Sequence, residues 1–135
     1  MAADTKLSIM EINWGLVPDM GGMVLLRDLV RDDIARELTY TGRVFDGNEA
    51  QRIGLATRLS VDPYAEALVL AREIAARPPK AMRAAKRLLD LATHGDAKEI
   101  LLAESREQAA LIGAPEQVEA VTARLQKRPA MFQDA

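Results

Sequence analysis

Two carboxylates eight residues apart, Glu11 and Asp19, have a type and spacing that suit acid–base chemistry. Glu11 has Ile12 and Trp14 as near neighbours, and apolar surroundings disfavour the charged form of a carboxylate, which suits it to general acid catalysis. Each residue also has a simpler interpretation: an exposed loop glutamate for Glu11, and a helix cap for Asp19. The residues alone leave both interpretations open.

A segment rich in glycine and proline links Glu11 to Asp19 and continues after Asp19. It contains Gly15, Pro18, Gly21 and Gly22, and this composition predicts an ordered loop rather than a regular element. Glycine allows a ligand to approach the backbone closely. The spacing matches neither a phosphate-binding loop nor a dinucleotide fingerprint, so by itself it identifies no class of ligand.

Basic side chains cluster at two further places. We expect the first cluster, on one side of a helix, to be a solvated face. The second, near the C-terminus, either binds an anionic ligand or complements a helix dipole. The lone histidine, His94, follows a helical run and is interpreted as a helix-terminal residue. The first cluster consists of Lys80, Arg83, Lys86 and Arg87, and the second of Lys127 and Arg128.

Composition argues against several functional classes. The 135 residues carry 18 basic and 20 acidic side chains, and this near-balance disfavours a strongly basic nucleic-acid binder. With no cysteine and one histidine, we expect no disulfide, no metal site and no thiol nucleophile. No apolar run is long enough for a membrane span, and the opening residues do not resemble a signal peptide. We therefore expect a cytoplasmic protein that binds neither nucleic acid nor membrane.

Helix formers dominate the elements that must position these side chains. Alanine occupies 23 positions, whereas Phe, Tyr and Trp together occupy five, which predicts a mainly α chain. Polar and apolar residues alternate in the opening segment, which predicts a short strand over residues 5–12, and a second brief strand is predicted near 55–60. A helix is predicted over residues 22–30. Further helices are expected to start after Asp46, at Asp62-Pro63, after Asp96 and at Pro115.

The predicted elements form an unusual order. An opening strand followed almost wholly by helices has no obvious partner for its backbone hydrogen bonds. This indicates a chain that corresponds to the back part of a larger fold. We divide it into residues 1–60, which carry the Glu11 loop, and residues 61–135, which are helical.

Five stretches of the chain follow a known order of motifs. Residues 10–22 are similar to P-E-I-x-x-G-x-x-P-x-x-G-G, with methionine in place of the first proline. Residues 38–43 and 49–55 are similar to an L-T-G block and its E-A-x-x-x-G-L-V run. Residues 79–86 are similar to P-x-A-x-x-x-x-K, and residues 127–132 to the ending K-R-x-P-x-F. Over essentially its whole length, the chain resembles the enoyl-CoA hydratase/isomerase (crotonase) family.

The resemblance implies that the chain corresponds to the C-terminal half of a crotonase-like α/β spiral fold. Glu11 matches the glutamate that exchanges a proton with the acyl carbon chain when water adds to a 2-enoyl-CoA, as in fatty-acid oxidation. The segments that form the oxyanion hole, and the second catalytic glutamate, belong to the preceding half of the family pattern. We therefore expect an enoyl-CoA hydratase that is inactive as this 135-residue chain alone.

Asp19 implies an alternative reaction, because several isomerase-type members carry a catalytic aspartate at this position. The alternative function is therefore an enoyl-CoA or dienoyl-CoA isomerase that uses Asp19 together with Glu11. A third possibility, from a different class, is a helical oligomerisation module without catalysis.

The resemblance also implies the ligand and the assembly. The substrate is an acyl-CoA thioester, and no cofactor is expected because coenzyme A is part of that substrate. Residues 61–135 match the region that builds trimers and pairs of trimers in the family, so we expect a homotrimer or hexamer. The residues assigned to substrate binding are Trp14, Gly15, Pro18, Gly21, Gly22 and, at the CoA phosphates, Lys127.

Overall fold

A computed structural model describes residues 1–133, and within that range it contains one short 3-10 helix and seven α-helices. This architecture confirms the mainly α prediction. The chain separates into two units, Met1–Leu68 and Val69–Ala135. In chain order the elements are the 3-10 helix Glu11–Trp14, α1 (Gly22–Leu26), α2 (Asp32–Thr41), α3 (Gly47–Arg52), α4 (Pro63–Ala75), α5 (Pro79–Ala92), α6 (Ala97–Leu111) and α7 (Pro115–Leu125).

Local sequence signals account for most helix starts. The first residues of α4, α5 and α7 are prolines, whose missing N–H costs nothing in the first turn of a helix. Three aspartates cap helices by accepting a hydrogen bond from the N–H three residues on, as predicted. Asp46 accepts from Glu49 at 2.9 Å, Asp62 from Ala65 at 3.0 Å and Asp96 from Glu99 at 2.9 Å.

The strand predicted over residues 5–12 is wrong, because only a single antiparallel bridge forms there. Leu7 and Phe45 exchange N–H···O bonds of 2.9 Å in each direction. The extended conformation ends at Met10, where φ is −101° and ψ is 4°, and the chain enters the 3-10 helix. Pairing is therefore confined to one residue on each side.

The strand predicted near 55–60 is also wrong, since no strand forms there within the described part of the chain. This segment instead holds Met1: its amino group donates to the Arg58 carbonyl oxygen at 3.0 Å, and the Ser60 N–H donates to the Met1 carbonyl oxygen at 3.0 Å. Directly after Met1 the chain turns, with the Thr5 N–H donating to the Ala2 carbonyl oxygen. The hydrogen bonds between the opening residues and residues 58–60 therefore cannot continue as a ladder.

Helix α1 is shorter than predicted and ends at Leu26. The N–H groups of Leu29 and Val30 both donate to the Leu26 carbonyl oxygen at 3.1 Å, which closes the helix with a turn. Arg31 then adopts an extended conformation. Val30 is buried, whereas Leu29 remains half-exposed.

The core of the first unit joins residues that are far apart in the sequence. Its centre is Leu38 on α2, which is 0% exposed. The other buried members are Phe45, Ala50 and Ala56. The half-buried side chains packed against them are Met1, Leu7, Ile9, Ile34, Ile53 and Leu55. This core holds the opening segment against α2 and α3, and so positions the residues around Glu11.

The second unit buries only small side chains within the described residues. Ala84 on α5 and Ala123 on α7 are its buried members. Helices α5 and α6 pack together, and the Arg87 guanidinium donates two hydrogen bonds of 2.7 Å to the Glu107 carboxylate across them. Within the described residues, this unit therefore has local helix signals and ion pairs but no large buried apolar side chain.

Candidate functional site

The 3-10 helix fixes the backbone of Glu11. Gly15 ends this helix in a left-handed conformation, with φ 69° and ψ 25°, which glycine adopts at no steric cost. The Gly15 N–H donates to the Ile12 carbonyl oxygen at 3.1 Å, and the Leu16 N–H donates to the Glu11 carbonyl oxygen at 3.0 Å. The sequence predicted an irregular loop here and missed the short helix.

The Glu11 helix lies against the C-terminal end of α2, at Gly42. A Cβ on Gly42 would lie 2.9 Å from the side-chain amide atoms of Asn13, so glycine permits this close approach. The Gly42 carbonyl oxygen also accepts a hydrogen bond of 2.9 Å from the Ser8 hydroxyl. The end of α2 therefore anchors both sides of the Glu11 segment.

A pocket of about 300 Å³ opens beside Glu11 in the first unit. Glu11 is the one ionisable side chain among the residues that line it. Ser8 is the other polar side chain, and its hydroxyl is already bonded to Gly42. The lining residues are Leu7, Ser8, Ile9, Glu11, Pro18, Gly22, Met23, Leu25, Leu26, Leu29, Phe45 and Leu55.

The Glu11 carboxylate has no hydrogen-bond or ion-pair partner among residues 1–133. The residue is half-buried, and the pocket wall beside it is otherwise apolar. A carboxylate in that setting is not engaged in holding the structure together, so it is available to exchange a proton with a bound molecule. The acid–base role of Glu11 stays a prediction.

The structure brings three of the predicted site residues together at this pocket, namely Glu11, Pro18 and Gly22. Trp14 is 76% exposed and lies outside the lining. Gly15 and Gly21 are likewise exposed and outside it. Substrate contact by these three residues stays a prediction.

Asp19 is exposed and does not line the pocket. The N-cap residue of α1 is Gly21, and no N–H within residues 1–133 donates to the Asp19 carboxylate. The helix-cap interpretation of Asp19 is therefore wrong. Its proposed proton transfer stays a prediction.

Lys127 follows α7 in the second unit and has a left-handed backbone, with φ 53°. The Arg128 N–H donates to the Ala123 carbonyl oxygen at 3.0 Å, and the Lys127 N–H donates to the Arg124 carbonyl oxygen at 3.2 Å. This pair of bonds is the Schellman motif, in which the left-handed residue is usually glycine. The motif holds the Lys127 backbone in place and leaves its side chain exposed.

Arg43 lies beside the wall of the Glu11 pocket, and the sequence did not single it out. Its guanidinium donates two hydrogen bonds to the Glu37 carboxylate, of 2.6 and 2.9 Å, and two to the Glu49 carboxylate, of 2.6 and 3.0 Å. These bonds raise the pKa of Arg43 and lower the pKa of each glutamate. The guanidinium carbon also lies 5.9 Å from the centre of the Phe45 ring, which lines the pocket. No helical spacing links these residues, so the sequence carried no signal for the cluster.

Two side chains of the first basic cluster, Lys86 and Arg87, form ion pairs. The Lys86 ammonium contacts Asp90 at 2.9 Å on the same helix, and Arg87 bridges to Glu107. These pairs are typical of a solvated face, as predicted.

Arg128 also forms an ion pair, with two hydrogen bonds of 2.7 and 2.8 Å to the Glu119 carboxylate. The Met131 N–H donates to the same carboxylate at 2.8 Å. Arg128 and Met131 therefore both bind Glu119 on α7. A pocket of about 600 Å³ adjoins it, lined by side chains that include Lys80, Arg124 and Phe132.

Two classes of feature are absent from the described part of the chain. Residues 1–133 contain no group of three or more His, Cys, Asp or Glu side chains placed to hold a metal ion. None of the helices in that range has both the length and the apolar character needed to span a membrane.

A family model described as Enoyl-CoA hydratase/isomerase matches residues 1–135. The chain belongs to the enoyl-CoA hydratase/isomerase family. Among solved structures of similar fold is a probable enoyl-CoA hydratase/isomerase from Mycobacterium abscessus, with a TM-score of 0.93 and 28% sequence identity. The match covers 100% of this chain and 56% of that chain.

Curated relatives in the family include hydratases and an isomerase. Methylglutaconyl-CoA hydratase, mitochondrial, from Mus musculus is 30% identical over 97% of this chain and 44% of its own length. Probable enoyl-CoA hydratase echA8 from Mycobacterium tuberculosis is 34% identical over 98% of this chain and 52% of its own length. Delta(3,5)-Delta(2,4)-dienoyl-CoA isomerase, mitochondrial, from Dictyostelium discoideum is 28% identical over 97% of this chain and 46% of its own length. The chain thus spans about half the length of the curated relatives it matches.

Proposed function

We propose that this chain supplies the proton-transfer glutamate of an enoyl-CoA hydratase, in which water adds across the double bond of a 2-enoyl-CoA thioester. The observation that carries the proposal is Glu11, a half-buried carboxylate without a partner in a pocket whose lining is otherwise uncharged. Family membership supports the thioester as the class of substrate.

Hydration needs two proton transfers. One carboxylate takes a proton from water as the oxygen bonds to C3 of the acyl chain, and a second acid delivers a proton to C2. We assign Glu11 to exchange of the proton with the carbon chain. The second carboxylate and the donors that stabilise the thioester oxygen would come from the half of the fold that this chain does not cover.

The remaining expectations form part of the same proposal. We assign the exposed Lys127 side chain to the CoA phosphates, and coenzyme A enters as part of the substrate, with no further cofactor. We also propose a homotrimer or hexamer formed through residues 61–135. The expected cytoplasmic location stays a prediction, since the relatives include both mitochondrial and mycobacterial proteins.

A fusion protein tests the role of Glu11. The residues of the mycobacterial echA8 protein that precede its match to this chain would be joined to Met1, and hydration of crotonyl-CoA measured. We expect Glu11→Gln to lower kcat by roughly 10²–10⁴-fold, the usual contribution of a general acid or base. Glu104→Gln, which changes an exposed carboxylate on α6, is the matched control and should leave kcat unchanged.

A fusion protein whose hydration rate survives Glu11→Gln would contradict this assignment. A separate expectation concerns the unfused chain, which should hydrate crotonyl-CoA no faster than its own Glu11→Gln variant. Turnover by the unfused chain that Glu11→Gln abolishes would contradict the expected inactivity. A fusion that assembles but shows no turnover at all would favour the oligomerisation module.

Isomerisation is the second candidate, favoured by the relative named as a dienoyl-CoA isomerase. Asp19→Asn in the fusion keeps the shape of the side chain while removing its titratable proton. A loss of roughly 10²–10⁴-fold in isomerisation, with hydration spared, would assign the chain to the isomerases. Unchanged isomerisation would leave hydration as the function.

A further inference from the structure

The turn at the C-terminal end of α2 contacts the chain on both sides of Glu11. Gly42, at this turn, is buried and has a left-handed backbone, with φ 59° and ψ 20°. Three residues before Glu11, the Ser8 hydroxyl donates to the Gly42 carbonyl oxygen at 2.9 Å. Two residues after Glu11, the Asn13 side chain packs against the space where a Cβ on Gly42 would lie. The turn therefore brackets the candidate acid.

The core of the first unit fixes the position of this turn. The Gly42 N–H donates to the carbonyl oxygen of Leu38 at 3.1 Å, and Leu38 is the fully buried centre of that core. Close-packed interiors hold each residue in one position, whereas exposed segments open at little cost in free energy. Gly42 therefore gives the Glu11 segment a rigid point of attachment.

The Ser8 hydroxyl is committed to this attachment. A serine hydroxyl has a single proton to donate, and here it is donated to Gly42. Ser8 lines the pocket beside Glu11, but it has no proton left for a bound molecule. Its neighbours Leu7 and Ile9 pack against the core. The hydrogen bond of Ser8 therefore acts on the chain itself and supplies no donor to the pocket.

The chain between Ser8 and Glu11 has little else to hold it. Met10 leaves the extended conformation, with φ −101° and ψ 4°, and it precedes the 3-10 helix without a side-chain cap hydrogen bond. The Glu11 carboxylate has no partner of its own among residues 1–133. The location of that carboxylate therefore depends on the anchors on either side of it.

Proton transfer is sensitive to such anchoring, because an acid must lie within hydrogen-bond reach of its target and a shift of about 1 Å can cost about 100-fold in rate. We propose that Ser8 is a positioning residue for Glu11. Through its bond to Gly42, it holds the Glu11 carboxylate in the pocket wall at the place where the acyl carbon exchanges its proton. This inference rests on the proposed role of Glu11 in hydration.

The Ser8→Ala variant of the echA8 fusion tests the inference. We expect kcat for crotonyl-CoA hydration to fall by about tenfold while KM stays within about twofold, because a displaced acid weakens only the transition state. Ser8→Thr keeps the hydroxyl and should return kcat to within about threefold of the unaltered fusion, since the bond to Gly42 can form again.

Ser105 provides the matched control. Its hydroxyl donates to the Leu101 carbonyl oxygen on α6 at 2.9 Å, which is the same kind of bond and the same length as the bond from Ser8 to Gly42. Ser105→Ala removes that bond in the second unit and should leave both kcat and KM unchanged.

Hydrogen exchange gives a readout that does not depend on turnover. The Leu16 N–H donates to the Glu11 carbonyl oxygen at 3.0 Å, so exchange at this amide in the 135-residue chain reports how firmly the Glu11 segment is held. We expect Ser8→Ala to accelerate Leu16 exchange by at least about fivefold, because loss of the anchor favours local opening. Ser105→Ala should not change it.

Three outcomes separate this inference from the proposed function. If Glu11→Gln lowers kcat but Ser8→Ala changes neither kcat nor Leu16 exchange, the proposed function stands and the positioning role is wrong. If Ser8→Ala raises KM and leaves kcat unchanged, Ser8 contacts the substrate and the inference is again overturned. If hydration survives Glu11→Gln, the proposed function fails, whereas faster Leu16 exchange in Ser8→Ala would still support Ser8 as the anchor of the Glu11 segment.

Discussion

The two units of this chain are stabilised in different ways. In Met1–Leu68 the central side chain is Leu38, packed against residues that come from distant parts of the sequence. Among the described residues of Val69–Ala135 the buried members are alanines, and the Arg87–Glu107 ion pair joins α5 to α6. The first unit therefore depends on packing between distant segments around Leu38, whereas the described residues of the second unit bury no large side chain.

This difference explains where the candidate site lies. A carboxylate can be held at an apolar wall only where several segments converge, and the pocket beside Glu11 draws its lining from the opening segment, α1 and Phe45. The second unit instead distributes its charged side chains over exposed ion pairs, each of which contributes little by itself.

The largest expected effect is on the free energy of unfolding, through the core of the first unit. We predict that Leu38→Ala lowers the free energy of unfolding of the first unit by about 3 kcal/mol, because it removes a fully buried side chain and leaves a cavity. Leu125→Ala, at a position 79% exposed on α7, should change it by less than about 0.5 kcal/mol. Urea denaturation followed by circular dichroism measures both. Equal losses from the two variants would remove the distinction between the units.

A smaller effect of opposite sign is expected at the left-handed residue after α7. Lys127→Gly should raise the free energy of unfolding by about 1 kcal/mol, because glycine has no side chain to oppose φ 53°. Gly15→Ala should lower it by a similar amount, about 1 kcal/mol, since φ is 69° there. Thermal melts of the two variants measure both changes in stability. Destabilisation by Lys127→Gly would mean that its side chain stabilises the fold.

The smallest effect concerns acid sensitivity at the end of the second unit. Hydrogen bonds from Arg128 and then from the Met131 N–H lower the pKa of Glu119 from its ordinary value of 4.5 to about 2. A carboxylate whose pKa is lower in the folded state stabilises that state above its unfolded pKa. This stabilisation is therefore complete above pH 4.5 and is lost as the pH falls from about 4.5 to about 2.

Hydrogen exchange at the Met131 amide measures this loss. We expect protection of that amide to fall across the same pH range, and Glu119→Gln to remove the pH dependence. Glu104→Gln should retain it, because Glu104 has no part in this contact. A Met131 amide whose protection does not change with pH in the unaltered chain would contradict the prediction.

The helix starts were predictable because their signals are local. Asp96 bonds to an N–H three residues away, and Pro115 removes a donor that the first turn does not use, so neither requires knowledge of distant residues. The order of motifs along the whole chain likewise indicated the family, and the motif of residues 10–22 singled out Glu11.

Only the tertiary structure decided the surroundings of these residues. The opening strand is reduced to the bridge between Leu7 and Phe45, 38 positions away, because the chain leaves the extended conformation at Met10. Arg43 joins Glu37 and Glu49 across two helices, a cluster that no periodic pattern encodes.

The two carboxylates that suggested acid–base chemistry illustrate the same division. Sequence spacing placed Glu11 and Asp19 eight residues apart and could not say whether they share a pocket. The fold places Glu11 in the pocket wall and leaves Asp19 on the exposed loop outside it. Residue types and local spacing thus determined the helices, the family and the candidate acid, because those signals act over a few residues. Long-range packing decided which side chains meet, because contacts between distant segments depend on the whole fold.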